Sequence, residues 1–460
     1  MNREKVSALK LLEVSHYPLD EKLPVPPNPV LSGNRCHMGR FFKALKCYRF
    51  SFYAHLKEAE VMDNLVNILD SFHPGWREKK YVNRFIAILK ELILPTYSSL
   101  ETRIENHQAV FPEEWDRIIS AFKEAHFFKL FVPPEYGGEK TSEQEIYFMM
   151  ELLGYASPGL GIIFVSHGRA VDILLSGTGQ QKEEYLPKMA EGDFGAIAIT
   201  EEKAGSDASA VGLRAERVGP HYLFNGQKIF ISNSGLARFY AILTNTKGKQ
   251  GPRSLSVFIV ENDLPGLTIK GLPKKDGLNV LPTGQLIFKD SPVPAKNLVG
   301  NEGMGLVLTL DVIDRGRIHI AGICCGLAYR IFRELYHYAH QRKQFDHPLT
   351  SSQDISFQIS EMFTRINAAR GLCLHALNQV GTSYYRMSSS QAKLFASQVV
   401  MDVAAKAQVL MGGRGYFRNE LINQLGADAR GMEYLEGTSN IQKMIIGREL
   451  FRMYHKEKMV

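Results

Sequence analysis

Residues 434–442 read Tyr-Leu-Glu-Gly-Thr-Ser-Asn-Ile-Gln, a tight glycine-containing turn followed at once by the start of a helix. Ser439 and Gln442 have the spacing of a capping box, in which each side chain bonds to the other residue's backbone N–H. Glu436 is thus predicted just before a helix N-terminus, where Gly437 lets a ligand approach the backbone. A carboxylate there is either a general base in a dry pocket or a solvated acid favoured by the helix dipole.

The composition excludes several classes of protein. The 460 residues are 45% hydrophobic and 22% charged, as in globular chains with room for two or three cores. The net charge of +7 is spread along the chain, so no nucleic-acid partner is expected. No apolar stretch is long enough to span a membrane, and no secretion signal is evident. The expected location is the cytoplasm of a bacterium or the mitochondrial matrix of a eukaryote. The five cysteines lack a C-x-x-C pair and are expected to be free thiols.

Hydrophobic periodicity divides the chain into four parts. Residues 1–60 hold a proline-rich segment and interleaved aromatic and basic residues, which fit a packing arm or a contact with a partner or membrane surface. Apolar residues recur at helical spacing in 61–192 and again in 301–460, where they predict a helix bundle. Residues 193–300 contain short strands that predict an antiparallel β-domain, with Asn225-Gly226 as the turn of a hairpin.

Prolines are predicted to limit two helices of the first helical part. Apolar residues recur at near-helical spacing over 82–93, and Pro95 is expected to end or kink that helix. A shorter helix is predicted over Lys182–Met189, with Pro187 breaking it because proline lacks a backbone N–H.

The common nucleotide and metal motifs do not account for the function. No G-x-G-x-x-G follows a predicted strand, and Gly412–Gly415 lacks the lysine of a phosphate-binding loop. No H-E-x-x-H or paired-cysteine pattern occurs, so no metal site is predicted. His167 is interpreted either as a structural histidine or as one that lines a substrate pocket.

Four separated motifs occur in a fixed order: Ile199–Asp207 (ITEEKAGSD), Asn225–Asn233 (NGQKIFISN), Arg342–Phe345 (RKQF) with Gln353 shortly after, and the Glu436 turn. With these motifs the chain resembles the acyl-CoA dehydrogenase family over about residues 80–455. The resemblance implies an α+β multidomain fold with an N-terminal helical domain, a middle antiparallel β-domain and a C-terminal four-helix bundle. This order agrees with the periodicity.

The resemblance also implies FAD, bound between the β-domain and the bundle. The residues expected to contact it are Ile199, Thr200, Gly205, Ser206, Phe230, Ser232 and Thr438. Phe230 stands where the family often has tryptophan. Phenylalanine keeps the aromatic ring face but lacks the indole N–H donor. Further residues are expected to reach the FAD of a neighbouring subunit, which implies a homo-oligomer that is a dimer of dimers: Arg342, Phe345, Gln353, Gly412 and Gly413.

The resemblance assigns catalysis to Glu436. Some family members carry their acid at the position of Gly316, so Glu436 has no rival there. The residues expected at the acyl-CoA are Ser206, Asp314, Arg317 and Gly437. The implied reaction removes an α-proton with Glu436 and transfers a β-hydride to flavin N5, giving a trans-2-enoyl-CoA, as in fatty acid β-oxidation.

Other functions on the same fold remain open at this point. Electron-transfer flavoprotein is the implied electron acceptor, and the lack of a further C-terminal domain favours a dehydrogenase over an oxidase. An oxidase, a reductase, a monooxygenase or a non-catalytic flavin- or acyl-CoA-binding scaffold are the alternatives. The sequence does not specify the acyl chain or whether its carrier is CoA or an acyl carrier protein.

Overall fold

The computed structural model describes residues 62–72, 74–249 and 251–457, all within the unit Ala54–Val460. The expected packing arm in residues 1–60 therefore lies outside the described residues. Within them the chain is helical, then β-rich, then helical again, as the periodicity predicts.

The first helical part comprises α1 (62–72), α2 (Lys80–Ile88), α3 (Leu94–Thr96), α4 (Glu114–Glu124), α5 (Glu143–Ala156), α6 (Pro158–Leu175) and α7 (Gly179–Ala190), with the short hairpin β1 (Arg103–Glu105) and β2 (Gln108–Val110) between α3 and α4. Helix α6 is the one described helix long and apolar enough to cross a membrane, and 89% of it is buried inside the protein. It serves here as a core helix.

Two prolines affect their helices differently. A π-helical turn, Leu89–Ile93, joins α2 to α3. Pro95 is the second residue of α3, and α3 ends one residue later at Thr96. Pro187 was expected to break its helix, and this is wrong, because α7 continues to Ala190. Pro187 lies on the exposed face of α7, where water can bond to the carbonyl that proline leaves without a donor.

The middle part is an eight-stranded, largely antiparallel sheet in the order β10-β7-β6-β4-β5-β9-β8, and β3 pairs with β6 in parallel. Its strands are β3 (Gly195–Ala198), β4 (Arg214–Val218), β5 (His221–Ser232), β6 (Phe239–Asn245), β7 (Leu255–Glu261), β8 (Leu267–Gly271), β9 (Thr283–Pro294) and β10 (Leu298–Val299). Strand β5, which carries the second motif, lies inside the sheet between β4 and β9.

The predicted hairpin turn at Asn225-Gly226 is wrong. Strand β5 runs through both residues, and Val218 pairs with His221, so the chain turns at residues 219–220. Gly226 has a φ of 136°, and the register with β9 shifts beside it, as in a β-bulge. Asn225 accepts a hydrogen bond from the N–H of Asp290 at 2.9 Å, so it is held within the sheet. Asn-Gly favours bulges for the same conformational reason that it favours turns.

The second helical part comprises α8 (Gly305–Gln341), the short strands β11 (Lys343–Gln344) and β12 (His347–Pro348), α9 (Gln353–Leu377), α10 (Tyr385–Leu410), α11 (Leu421–Gly431) and α12 (Ser439–Glu457). Helices α8, α9, α10 and α12 form the predicted bundle, and α8 also packs on α5 of the first part. Gly326 permits that approach, since a Cβ there would lie 1.8 Å from the carbonyl oxygen of Glu151. Cys324, Cys325 and Cys373 are buried free thiols in this core.

Candidate active site

The turn before α12 holds Glu436 in an uncommon backbone conformation. Glu436 has a φ of 51° and Gly437 a φ of 92°, so both lie in the left-handed region. This conformation costs a residue other than glycine about 1 to 2 kcal/mol. Such strain persists where the surrounding structure fixes it, and it is common at functional sites.

The predicted capping box does not form. Helix α12 begins at Ser439, whose buried Oγ has no hydrogen-bond partner among the described residues. The amide of Gln442 instead reaches back and donates to the carbonyls of Glu436 at 3.0 Å and Gly437 at 2.9 Å. Gln442 therefore fixes the turn itself, which its spacing from Ser439 did not reveal.

The Glu436 carboxyl group lies directly against Gly316 of α8. A Cβ at residue 316 would lie 2.7 Å from the carboxyl carbon and 2.9 Å from each carboxyl oxygen. Any side chain there would displace the acid. The sequence expectation that Glu436 has no rival at position 316 therefore has a physical counterpart, because the glycine makes room for Glu436.

Positive charges from three helices face Glu436. Burial raises the pKa of its carboxyl group, while Arg169 of α6, Arg317 of α8 and Lys393 of α10 each act to lower that pKa. Arg317 also donates from Nε to the backbone carbonyl of Glu436 at 3.4 Å. Burial outweighs the three cations, so the pKa of the Glu436 carboxyl group is raised above its ordinary value.

Asp314 belongs to the same group of residues. It is buried and bonded to Arg317, and its second carboxyl oxygen accepts a hydrogen bond from Arg386 at 2.7 Å. The structure therefore brings together Glu436, Gly437, Asp314 and Arg317, as the sequence predicts. The two arginine partners give Asp314 a visible structural task, which is to orient Arg317.

Arg169 leads to a buried ionic network that sequence reasoning missed. Its guanidinium contacts the carbonyl of Val312 at 3.1 Å, His319 Nδ1 at 3.2 Å and Asp172 at 3.0 Å. His319 in turn lies 3.3 Å from Glu143. Burial opposes ionisation of Glu143, but the hydrogen bond and charge of His319 lower its pKa to about 2. The members come from α5, α6 and α8, so no local spacing could have identified them.

Of the two interpretations of His167, the structure favours the structural one. It is fully buried among Phe128, Phe131 and Phe194, and it accepts a hydrogen bond from the N–H of Gly195 at 3.3 Å. Burial lowers its pKa to about 3, so the ring stays neutral. His167 therefore fixes the start of β3 to α6.

The first motif is fastened to β5 by a buried lysine. Lys228 donates to the carbonyl of Ile199 at 2.8 Å and forms an ion pair with Glu201 at 2.7 Å. The N–H of Ile229 donates to the carbonyl of Thr200 at 2.9 Å. Glu201 also accepts from the N–H groups of residues 212 and 213, which closes the loop that carries Gly205 and Ser206. The structure thus brings the first two motifs together.

The sheet side of the site is open and suits a flat aromatic ligand. Phe230 is 64% exposed and has a φ of 60°, and Ser232 follows two residues later on β5. Gly205 and Ser206 are exposed, and a Cβ at Gly205 would meet no described atom within 4 Å. An exposed aromatic side chain in a strained backbone, beside open backbone and hydroxyl donors, fits a flavin and its phosphates.

The remaining predicted cofactor residues are exposed, and Arg342 lies far from Glu436 in this chain. Arg342 follows the last residue of α8, and it is roughly 40 Å from Gly316 at about 1.5 Å of rise per residue. Phe345 is 94% exposed. Gly412 and Gly413 are exposed as well, with no described atom within 4 Å of a Cβ built on either. Gln353, at the start of α9, is also exposed. Arg342 is thus far from the Glu436 of its own chain, and the other four residues are open to solvent and available to another copy.

Family models match almost the whole described chain. The acyl-CoA dehydrogenase N-terminal domain matches residues 83–193, the middle domain matches 196–291 and the C-terminal domain matches 301–451.

Individual proteins agree with these matches. The short-chain-specific acyl-CoA dehydrogenase of Clostridium acetobutylicum is 36% identical over 323 residues, which are 69% of this chain and 85% of that protein. The acryloyl-CoA reductase (NADH) of Anaerotignum propionicum is 35% identical over 327 residues, covering 70% and 83%. The butyryl-CoA dehydrogenase structure from Megasphaera elsdenii superposes with a TM-score of 0.74 at 28% identity, covering 81% of this chain and 97% of that one.

Proposed function

The chain is an enzyme of the acyl-CoA dehydrogenase family, and we propose that it oxidises an acyl-CoA thioester to a trans-2-enoyl-CoA with Glu436 as the base. The observation that carries the proposal is the Glu436 carboxyl group, which rests on the bare backbone of Gly316 and faces three cations. A carboxylate in that setting is placed to take a proton and is shielded from bulk solvent.

Glu436 would remove the α-proton of the thioester. That proton is very weakly acidic, so the carbonyl oxygen must be polarised as negative charge develops on it. The backbone N–H of Glu436 is the proposed donor, as the family resemblance implies. Arg317 holds the carbonyl of the same residue, and Gln442 holds it as well, so the orientation of the turn is set on two sides. Asp314, Arg317, Ser206 and Gly437 are the proposed contacts to the substrate.

FAD is the cofactor that the family implies, and the open surface around Phe230 and the Gly205 loop fits it. When bound, FAD supplies the acceptor for the hydride that leaves the β-carbon. Ile199, Thr200, Gly205, Ser206, Phe230, Ser232 and Thr438 would hold it in this chain. As the family resemblance implies, the FAD of another copy would be held by residues that are all exposed in this chain: Arg342, Phe345, Gln353, Gly412 and Gly413. We therefore propose a homo-oligomer, with a dimer of dimers as the expected form.

The finer assignments rest on the family resemblance. Electron-transfer flavoprotein is the proposed electron acceptor, fatty acid β-oxidation is the proposed pathway, and the cytoplasm or the mitochondrial matrix is the proposed location.

The test is a visible spectrum of the purified protein followed by anaerobic titration with short, medium, long and branched acyl-CoAs. We expect a yellow protein that one of these thioesters bleaches. Glu436→Gln should retain the flavin and slow bleaching about 100- to 10,000-fold, the usual contribution of a general base. Glu114→Gln, the same change at an exposed position of α4, is the control and should bleach normally. Undiminished bleaching of Glu436→Gln would refute the assignment of the base.

A reductase that runs the same chemistry in reverse is the second candidate. The similarity to the acryloyl-CoA reductase of Anaerotignum propionicum favours it. The discriminating measurement is reoxidation of the dithionite-reduced protein by enoyl-CoAs, compared with bleaching of the oxidised protein by the saturated thioesters. Faster reoxidation than bleaching at equal thioester concentration would favour the reductase.

A further inference from the structure

Lys393 of α10 is a buried cation beside the base. Its side chain is fully buried, and its Nζ donates to the carbonyls of Glu433 at 2.8 Å and Gly437 at 2.9 Å. These two carbonyls lie on either side of Glu436 in the chain. One ammonium group therefore bridges the turn that presents the carboxyl group.

Lys393 differs from the other buried lysine of the site. Lys228 is compensated by a direct ion pair with Glu201 at 2.7 Å, whereas both recorded acceptors of Lys393 are backbone carbonyls. Burial lowers the pKa of Lys393 to about 8, so it remains largely protonated at neutral pH. A buried ammonium without a carboxylate in contact is costly to maintain, and Lys393 keeps its charge next to Glu436.

We propose that Lys393 is a positioning residue for Glu436, because its ammonium group fixes the carbonyls on both sides of the base and its charge favours the ionised carboxylate. The inference rests on the proposed role of Glu436 as the base. It assigns Lys393 two effects, one geometric and one electrostatic, which different substitutions can separate.

Other charged groups face the same two side chains. Arg169 of α6 and Arg317 of α8 also favour the carboxylate of Glu436, while Asp314 of α8 opposes it. Around Lys393, the charge of Glu433 favours the ammonium form and that of Arg317 opposes it, while the buried thiol of Cys324 is neutral because burial raises its pKa. Removing Lys393 therefore leaves two cations near Glu436, so a partial rise of its pKa is expected rather than complete neutralisation.

Gln442 provides an internal comparison. It donates to the carbonyls of Glu436 and Gly437 as Lys393 does to those of Glu433 and Gly437, but it carries no charge. Loss of Gln442 should disturb the geometry alone. Loss of Lys393 should disturb the geometry and the ionisation together.

The experiment follows anaerobic flavin reduction by a saturating acyl-CoA as a function of pH in single turnovers. In the native enzyme the rate should rise with pH as Glu436 loses its proton. Lys393→Met should be slower and should move the midpoint of the profile up by about one pH unit, the order expected when one nearby charge is lost. Gln442→Leu should lower the rate without moving the midpoint. Lys406→Met, the same change at a partly exposed position of α10 roughly 20 Å further along, should match the native enzyme in rate and midpoint.

An unchanged midpoint in Lys393→Met would overturn the electrostatic role, and an unchanged rate would overturn the geometric one. If Lys393→Met fails to hold flavin, Lys393→Gln keeps a donor for the carbonyls without the charge, and the same upward shift is required of it. The proposed function fails separately, because then no thioester would reduce the native enzyme at any pH. A shift equal in Gln442→Leu and Lys393→Met would show that geometry alone moves the profile, which also contradicts the inference.

Discussion

The Glu436 turn and the exposed end of α8 share one local feature and differ in their surroundings. Glu436 has a φ of 51° and Phe345 a φ of 50°, so each holds a left-handed residue other than glycine. Around Glu436 the chain supplies Gly316, Arg317, Lys393 and Gln442, whereas Phe345 is 94% exposed. The strain at Glu436 is supported from within the chain. The strained conformation at Phe345 would be supported only if another surface covered its exposed ring.

The two regions differ in whether their surroundings come from the same chain. In the proposed function the turn performs chemistry with residues of one copy. The end of α8 would bind, completing the cofactor site of another copy in the proposed oligomer. Substitutions in the first region should therefore change reaction rates, and those in the second should change cofactor affinity.

Among the substitutions that test this comparison, Gly316→Ala should have the largest effect. Its methyl group would displace the Glu436 carboxyl group, and a misplacement of about 1 Å can slow a reaction about 100-fold. Flavin content and thermal stability should stay near native values. Gly371→Ala in α9, where a Cβ would meet no described atom within 4 Å, is the matched control. A native reduction rate in Gly316→Ala would show that the carboxyl group accommodates the methyl without loss.

A smaller effect is expected from Arg342→Ala at the end of α8. Loss of a charge-assisted hydrogen bond, about 1.5 to 3 kcal/mol, should weaken FAD binding about 10- to 100-fold. Titration of the apoprotein with FAD measures it, and Lys343→Ala tests whether any positive charge there matters equally. Once the protein is saturated with FAD, reduction by substrate should proceed at the native rate. A slow reduction under saturation would remove the distinction between the two regions.

The smallest expected effect is a difference in stability between two variants at residue 345. The free energy of unfolding of Phe345→Gly should be about 1 kcal/mol higher than that of Phe345→Ala. Both substitutions remove the ring, but only glycine relieves the left-handed strain. Chemical denaturation of the apoproteins measures the difference. Both variants should bind FAD more weakly than the native protein. Equal stabilities would mean that the conformation at residue 345 is not strained.

Sequence reasoning predicted the parts of the site that short segments encode. The Glu436 turn, the loop with Gly205 and the exposed Phe230 lie in contiguous motifs, so their local geometry follows from a few neighbouring residues. The order of helical and β-rich parts was predictable for the same reason, since periodicity is a local property.

What sequence reasoning missed depends on contacts between distant segments. Arg169 and Lys393 look like ordinary helix residues until α6, α8 and α10 converge on one turn, and Gln442 was assigned to a capping box that does not form. The error at Asn225-Gly226 arose because turns and bulges place the same conformational demand on a short peptide, and only pairing with Asp290 on β9 distinguishes them. Pro187 was misjudged because its helix is held by buried residues on the opposite face.

The length of α8 has a genetic consequence. Gly316 of this helix adjoins its own Glu436, and the C-terminal end of the helix lies roughly 40 Å away, where a second copy would use it. If the cofactor site is completed between copies, each site contains residues of two polypeptide chains, and these chains can come from different alleles. A Glu436→Gln allele and an Arg342→Ala allele, each defective alone, should then complement one another in a cell that expresses both, because some mixed oligomers contain a site assembled from the two intact halves.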